Sequence, residues 1–154
     1  MKNVGLIRLI NIKEKNKKNC FNYHENNLYS IIPFSGFFAM NLFGILFVRN
    51  KYKNKPIPTT KINHESIHSE QYKDLLYIFF LPLYFLEWII KIPFGWFYKK
   101  KNKNGSIITY VAYKSISFEQ EAYYNQNNLD YLNTRKRFAW IKYIFSMYNP
   151  DNIY

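Results

Sequence analysis

Two of the chain's three histidines, His64 and His68, lie four residues apart in "INHESIHSEQY", residues 62–72, with Glu65 between them. On a helix, residues four apart share a face, so both imidazoles can address one ion. Glu65 is rotated by about 100° from His64, close enough to reach a metal-bound water without itself being a ligand. This is an HExxH pattern. Two neutral imidazoles and one further ligand hold Zn²⁺ and leave a fourth position for water, from which the carboxylate takes a proton as the water attacks. Ile62 and Ile67 are the apolar neighbours expected of a buried helix, whereas Lys61, Ser66 and Glu70 are more polar than such flanks usually are. The competing structural role is a surface turn that carries two histidines by chance.

A third ligand is available downstream in "SFEQEAYYN", residues 117–125. Glu119, Ala122 and Tyr123 fall at i, i+3 and i+4 on one helical face, while Glu121 points elsewhere. Glu119 is therefore the preferred metal ligand. Glu121 is the reserve, with pairing to a lysine as its structural alternative. For Glu119 that alternative is an acid in the first turn, stabilised by the helix dipole. The pairing of "HESIH" with a later "EQEAY" resembles the gluzincins, the thermolysin-like zinc peptidases, in which a glutamate on a second helix completes the site. In that resemblance Glu119 stands at the ligand position and Ala122 at the small residue that follows it. Tyr123 stands where aspartate is usual, which bears on the hydrogen bond that would support a zinc-bound histidine. The layout is also similar to a group of small bacterial and phage proteins of uncharacterised activity, which combine an aromatic-rich strand region, "NHExIH", an apolar helix and "ISFExEAY". That similarity covers about residues 36 to 140. It implies a compact, minimal zincin-like metallopeptidase domain and no particular substrate.

The element that carries the HExxH motif should be a helix of about residues 59–80, opened after Pro56 and Pro58 and capped by Thr59 or Thr60. The Glu119 helix is expected over about 118–137, with Ser117 and Gln120 in a capping-box pattern. Between them runs an apolar helical segment, 83–98, read as part of a buried helix pair bent at Pro82 or as a segment resting in a membrane interface. A bilayer span needs about 20 mostly apolar residues, and 75–98 reaches that length only by including Glu87, Lys91 and two prolines. A single crossing would also put Glu119 on the opposite side of the membrane from the histidines. Upstream, residues 1–50 form a strand region, with a short strand within 1–12 and one or two buried strands within 34–50 around a bulge or tight turn. An aromatic tail, 138–154, ends the chain as a last helix or an extension of the one before it. The fold class expected is α+β and mainly helical, a single domain over 1–154 with a small N-terminal sheet or hairpin and two ligand-bearing helices.

Composition narrows the function classes. Hydrophobic residues make up 48% of the chain and aromatics 21%, enough to build one core. The net charge of +12 comes from lysines in short runs with asparagine and from only four arginines, so it reads as solvated loops. No nucleic-acid reader motif is visible, and no specific nucleic-acid partner is expected. Cys20 is a lone thiol, which excludes an intramolecular disulfide framework. The N-terminal stretch lacks a signal-peptide cleavage site, and a cytoplasmic location, with contact at the membrane face through 75–98 kept open, is the reading that follows.

The function these residues point to is a zinc-dependent hydrolase acting on a peptide or protein, with Zn²⁺ on His64, His68 and Glu119 and with Glu65 as general base. Tyr113 and Tyr123 are candidates to stabilise the oxyanion among fifteen tyrosines. The apolar strand at 39–49 has an edge to offer an extended substrate. Two other readings compete. One is a non-catalytic basic module for nucleic acid. The other is a membrane-surface protein whose metal site is vestigial.

Overall fold

The structure, a computed structural model, describes residues 4–8, 39–43, 45–49, 57–95 and 107–148. Cys20 and His24 lie outside them, as do residues 149–154 of the aromatic tail. The architecture is α+β and mainly helical, with a small N-terminal sheet. Strand β1 (Val4–Arg8) pairs antiparallel with β3 (Ile45–Arg49), which pairs antiparallel with β2 (Ala39–Leu42), giving the order β1-β3-β2. The register between β2 and β3 keeps Leu42 opposite Ile45, and Phe43, just after β2, adopts a positive φ of the kind tight hairpin turns use. β2 is thus an edge strand among the described residues.

Helix α1 (Thr59–Asp74) follows the proline segment. Pro58 takes the cap position, and neither Thr59 nor Thr60 supplies the side-chain cap expected of it. The helix stops at Asp74, six residues short of the expectation from sequence. Its end is a Schellman turn: Tyr77 N–H donates to the Tyr72 carbonyl at 2.7 Å and Leu76 N–H to that of Lys73 at 3.3 Å. Leu76 and Tyr77 both sit in the left-handed region, at φ 51° and 63°, where glycine is the usual occupant. The turn sends the chain back as α2 (Phe80–Gly95). Pro82 falls in the first turn of α2, where its missing N–H costs nothing, and so it opens the helix and does not bend it.

After α2 come α3 (Ile107–Ser115), which sequence reading did not separate from the loop before it, and α4 (Ser117–Asn125). α2 and α3 lie very close at Gly95, where an added Cβ would stand 2.6 Å from the Ile108 carbonyl oxygen. The expected 118–137 helix is two helices, α4 and the short α5 (Tyr131–Thr134), followed by a 3-10 helix at Ala139–Tyr143. The capping box does not form. Ser117 is the first helical residue, and its N–H and Oγ both donate to the Glu87 carboxylate of α2, at 2.8 and 2.6 Å. A neighbouring helix therefore caps α4.

The core gathers Tyr72, Phe80, Ile116 and Phe118, with Tyr84, Trp88, Tyr113 and Trp140 packed around them. Phe80 stacks on Tyr72 with ring centroids 3.9 Å apart and meets Phe118 at 4.9 Å, so one aromatic cluster joins α1, α2 and α4. α2 is not a buried helix: its outward face is exposed. Among the described residues no helix is long and apolar enough to cross a membrane.

Candidate metal centre

α1 and α4 pack against each other, and Ile67 of the one and Ala122 of the other are fully buried. Asn63 locks the pairing by donating to the carbonyls of Asn125, Gln126 and Asn128 at the end of α4, at 2.9–3.2 Å. Asn41 of β2 ties the sheet to the same helix, donating to the Glu65 carbonyl at 2.7 Å and to Ser69 Oγ at 2.9 Å. Between these clamps the two helices turn His64, His68 and Glu119 toward one point, all three buried.

The spacing is informative. His64 Nε2 and His68 Nε2 are 3.2 Å apart, His68 Nε2 is 3.4 Å from Glu119 Oε1, and His64 Nε2 is 3.5 Å from Glu119 Oε2. Ligand atoms about 2.0–2.1 Å from a tetrahedral Zn²⁺ stand about 3.3 Å from one another. Three basic atoms this close and this buried are placed so that they could share a cation. Without a metal, a proton takes that place, and His68 is pushed up to about 9, because the attraction of Glu119 and Glu65 outweighs the burial that opposes its charge. Burial holds the His64 imidazole below its ordinary value, and the carboxyl of Glu119 sits well below the carboxylate range because the two histidines overcome its own burial. Even so, Glu119 Oε2 and His64 Nδ1 find no hydrogen-bond partner among the described residues. An unpartnered carboxylate oxygen facing two imidazole nitrogens fits a divalent ion better than it fits a closed hydrogen-bond cluster.

Second partners are unequal for the two histidines. His68 Nδ1 meets Gln71 Oε1 at 2.7 Å, and Gln71 Nε2 donates to the Phe118 carbonyl and to Glu121 Oε2, at 3.0 and 2.9 Å. With its amide nitrogen committed to two acceptors, Gln71 must accept from His68 Nδ1–H, which leaves the Nε2 lone pair for a metal. Glu121 is in turn held by Arg135 Nε at 2.7 Å and Tyr131 Oη at 2.8 Å, and Arg135 continues to Asp74 at 2.9 Å. Glu121 is therefore not a reserve ligand. Two residues along α4 from Glu119, it points away from the histidines and anchors the chain of bonds behind His68, paired with an arginine and not the expected lysine. His64 has no such support: Tyr123, where an aspartate would have accepted from Nδ1, packs its ring against the imidazole at 4.5 Å.

Tyr84 was not singled out in the sequence. It comes from α2 and its hydroxyl donates to Glu119 Oε1 at 2.8 Å, so it fixes the carboxylate's orientation. A single tyrosine in "LPLYFLEW" carries no spacing signal that ties it to a site thirty-five residues away. His64, Glu65, His68, Tyr84, Tyr113 and Glu119 share the wall of a cavity of about 610 Å³, which β2 closes on one side with Asn41 and Leu42. Glu65 is half-buried there, and burial together with the nearby Glu119 charge pushes its carboxyl up to about 7, against the pull of His68. Tyr123 packs behind His64 and does not line the cavity. The chain matches no protein-family model, no curated protein and no solved structure.

Proposed function

We propose that the chain is a zinc-dependent hydrolase that cleaves peptide bonds, with His64, His68 and Glu119 as metal ligands and Glu65 as general base. The observation that carries this reading is the convergence of two imidazole nitrogens and one carboxylate at tetrahedral ligand spacing, with a second carboxylate facing the same cavity. Two nitrogens and one oxygen are a donor set that suits zinc, and three protein ligands leave a position open. Zinc, when bound, supplies a Lewis acid that acidifies water and polarises a carbonyl.

The chain's own residues do the rest. Glu65 takes the proton of the attacking water and delivers it to the leaving amine, a role suited to a carboxylate whose affinity for protons has been raised toward neutrality. Gln71 and Tyr84 hold His68 and Glu119 in orientation, so the site loses little freedom when it binds. The edge of β2, with Asn41 and Leu42 in the cavity wall, offers an extended peptide a strand to pair with. Of the two candidate tyrosines, Tyr113 is the one in the cavity wall and the better placed to face a developing oxyanion.

Elemental mass spectrometry on the purified chain tests the ligand set. About one zinc per chain is expected, lost in His64→Ala and in Glu119→Ala. Glu65→Gln should retain its zinc and lose turnover of a peptide library by about a hundredfold or more. No bound metal after zinc loading, or undiminished turnover in Glu65→Gln, would overturn the proposal.

A further inference from the structure

α2 is built inside out. Its two charged residues, Glu87 and Lys91, face inward, 2.8 Å from each other, and close on the α3–α4 junction: Glu87 accepts from Ser117, while Lys91 donates to the carbonyls of Ser115 and Ser146. All nine exposed residues of the helix are apolar, from Leu81 to Phe94. The turn before it continues the face, so that eleven large apolar side chains between Leu76 and Phe94 are exposed. A monomer in water ordinarily arranges a surface helix the other way round, and a contiguous apolar face of this length marks an interaction surface.

We infer that this face of α2, with the turn at 75–79, docks on an anionic lipid bilayer and lies in its interfacial layer. Depth follows from length. At sixteen residues α2 spans about 24 Å, too short to cross the hydrocarbon core, and its inward charges are bound to the rest of the fold. Charge selects the bilayer over a second copy of the chain. Two copies of a protein with a net charge of +12 repel, whereas an anionic leaflet attracts it. The sequence after Gly95 reads Trp96-Phe97-Tyr98 and then Lys99, Lys100, Lys101 and Lys103. Covalent reach alone keeps Lys99 within about 14 Å of the helix end. Aromatic residues followed by lysines are the order in which the headgroup region favours them. The inference stands apart from the hydrolase reading and does not need a metal.

Co-sedimentation of the full chain with vesicles, one set of phosphatidylcholine alone and one containing phosphatidylglycerol, tests it. The chain should pellet with the anionic vesicles, less with the neutral ones, and be largely released as salt is raised. Leu86→Glu and Ile90→Glu should each weaken binding about tenfold or more, while Leu129→Glu, at an exposed leucine that belongs neither to α2 nor to the turn before it, leaves it unchanged. Brominated acyl chains should quench tryptophan emission in the unaltered protein, which reads insertion without any variant. Absence of both pelleting and quenching overturns the inference, as does wild-type binding by Leu86→Glu. A dimer in sedimentation velocity that Leu86→Glu dissociates, with no vesicle binding, would instead assign the face to a second copy.

Discussion

The α1–α4 contact and the outer face of α2 invert each other's chemistry. Between α1 and α4 a set of polar groups is buried beside Ile67 and Ala122: His64, His68, Gln71, Glu119 and Glu121 are all sequestered from water, in places where a small domain would normally put leucine and valine. Along α2 the exposed groups are apolar, where lysine and glutamate would normally stand. Each arrangement opposes the hydrophobic effect locally, and each is tolerable only with a partner. For the polar interior the partners lie mostly within the chain, as a line of bonds from His68 through Gln71 and Glu121 to Arg135 and Asp74. For the apolar exterior the proposed partner is the bilayer. The polar interior, with Glu119 Oε2 and His64 Nδ1 left unpartnered, is the part of the molecule on which the proposed ion site rests, and the apolar exterior the part on which the proposed membrane docking rests.

Breaking the interior should cost most. Arg135→Ala leaves Glu121 buried without its cation and Asp74 with only the exposed Arg137, 3.8 Å away, and unfolding in urea should show a loss of about 3–5 kcal/mol. Gln71→Leu cuts the chain nearer the site while Glu121 keeps Arg135 and Tyr131. Zinc affinity, measured by competition with a chromogenic chelator, should fall about 10–100-fold, because His68 loses the acceptor that fixes its tautomer. The same histidine sets a pH dependence. In the metal-free protein His68 keeps its proton up to about 9, and that proton must leave before Nε2 can bind. Zinc affinity should therefore weaken as pH falls below about 9, by up to about tenfold per unit, and a flat profile between pH 7 and 9 would remove the proton from the cluster. The smallest effect belongs to the other region. Leu86→Gln on the outer face of α2 should change stability in water by no more than about 0.5 kcal/mol, since that side chain is already exposed. A large loss there would mean that the face is covered within the chain, and the contrast between the two regions would collapse.

The parts of this arrangement visible in the sequence are those written in short periods. His64 and His68 show their shared face at a spacing of four, with Glu65 about 100° round from it, and Glu119 with Ala122 shows the matching face, so the convergent donors are legible in the sequence. The inward Glu87 and Lys91 carry the same four-residue signal, but nothing in a single sequence tells which side of a helix is inside when the apolar residues run all the way round it. The end of α1 was hidden for a different reason. A Schellman turn is recognised by its glycine, and here leucine and tyrosine hold the left-handed positions. Tyr84 and Arg135 reach their partners across thirty-five and fourteen residues, distances at which tertiary packing and not periodicity makes the contact. The expected capping box failed by a rival acceptor: a full carboxylate from Glu87 outcompetes the neutral Gln120 side chain for Ser117.

That last bond has a mechanical consequence. Ser117 begins the helix that carries Glu119 two residues later, and Glu87, which grips it, sits on the inward side of the helix whose other side is apolar and exposed. The same helix reaches Glu119 a second time through the Tyr84 hydroxyl. α2 therefore has two short linkages to one carboxylate, and through Phe80 it also meets the His68 ring at 6.2 Å, so a tilt or slide of this helix bears on two corners of the triad at once.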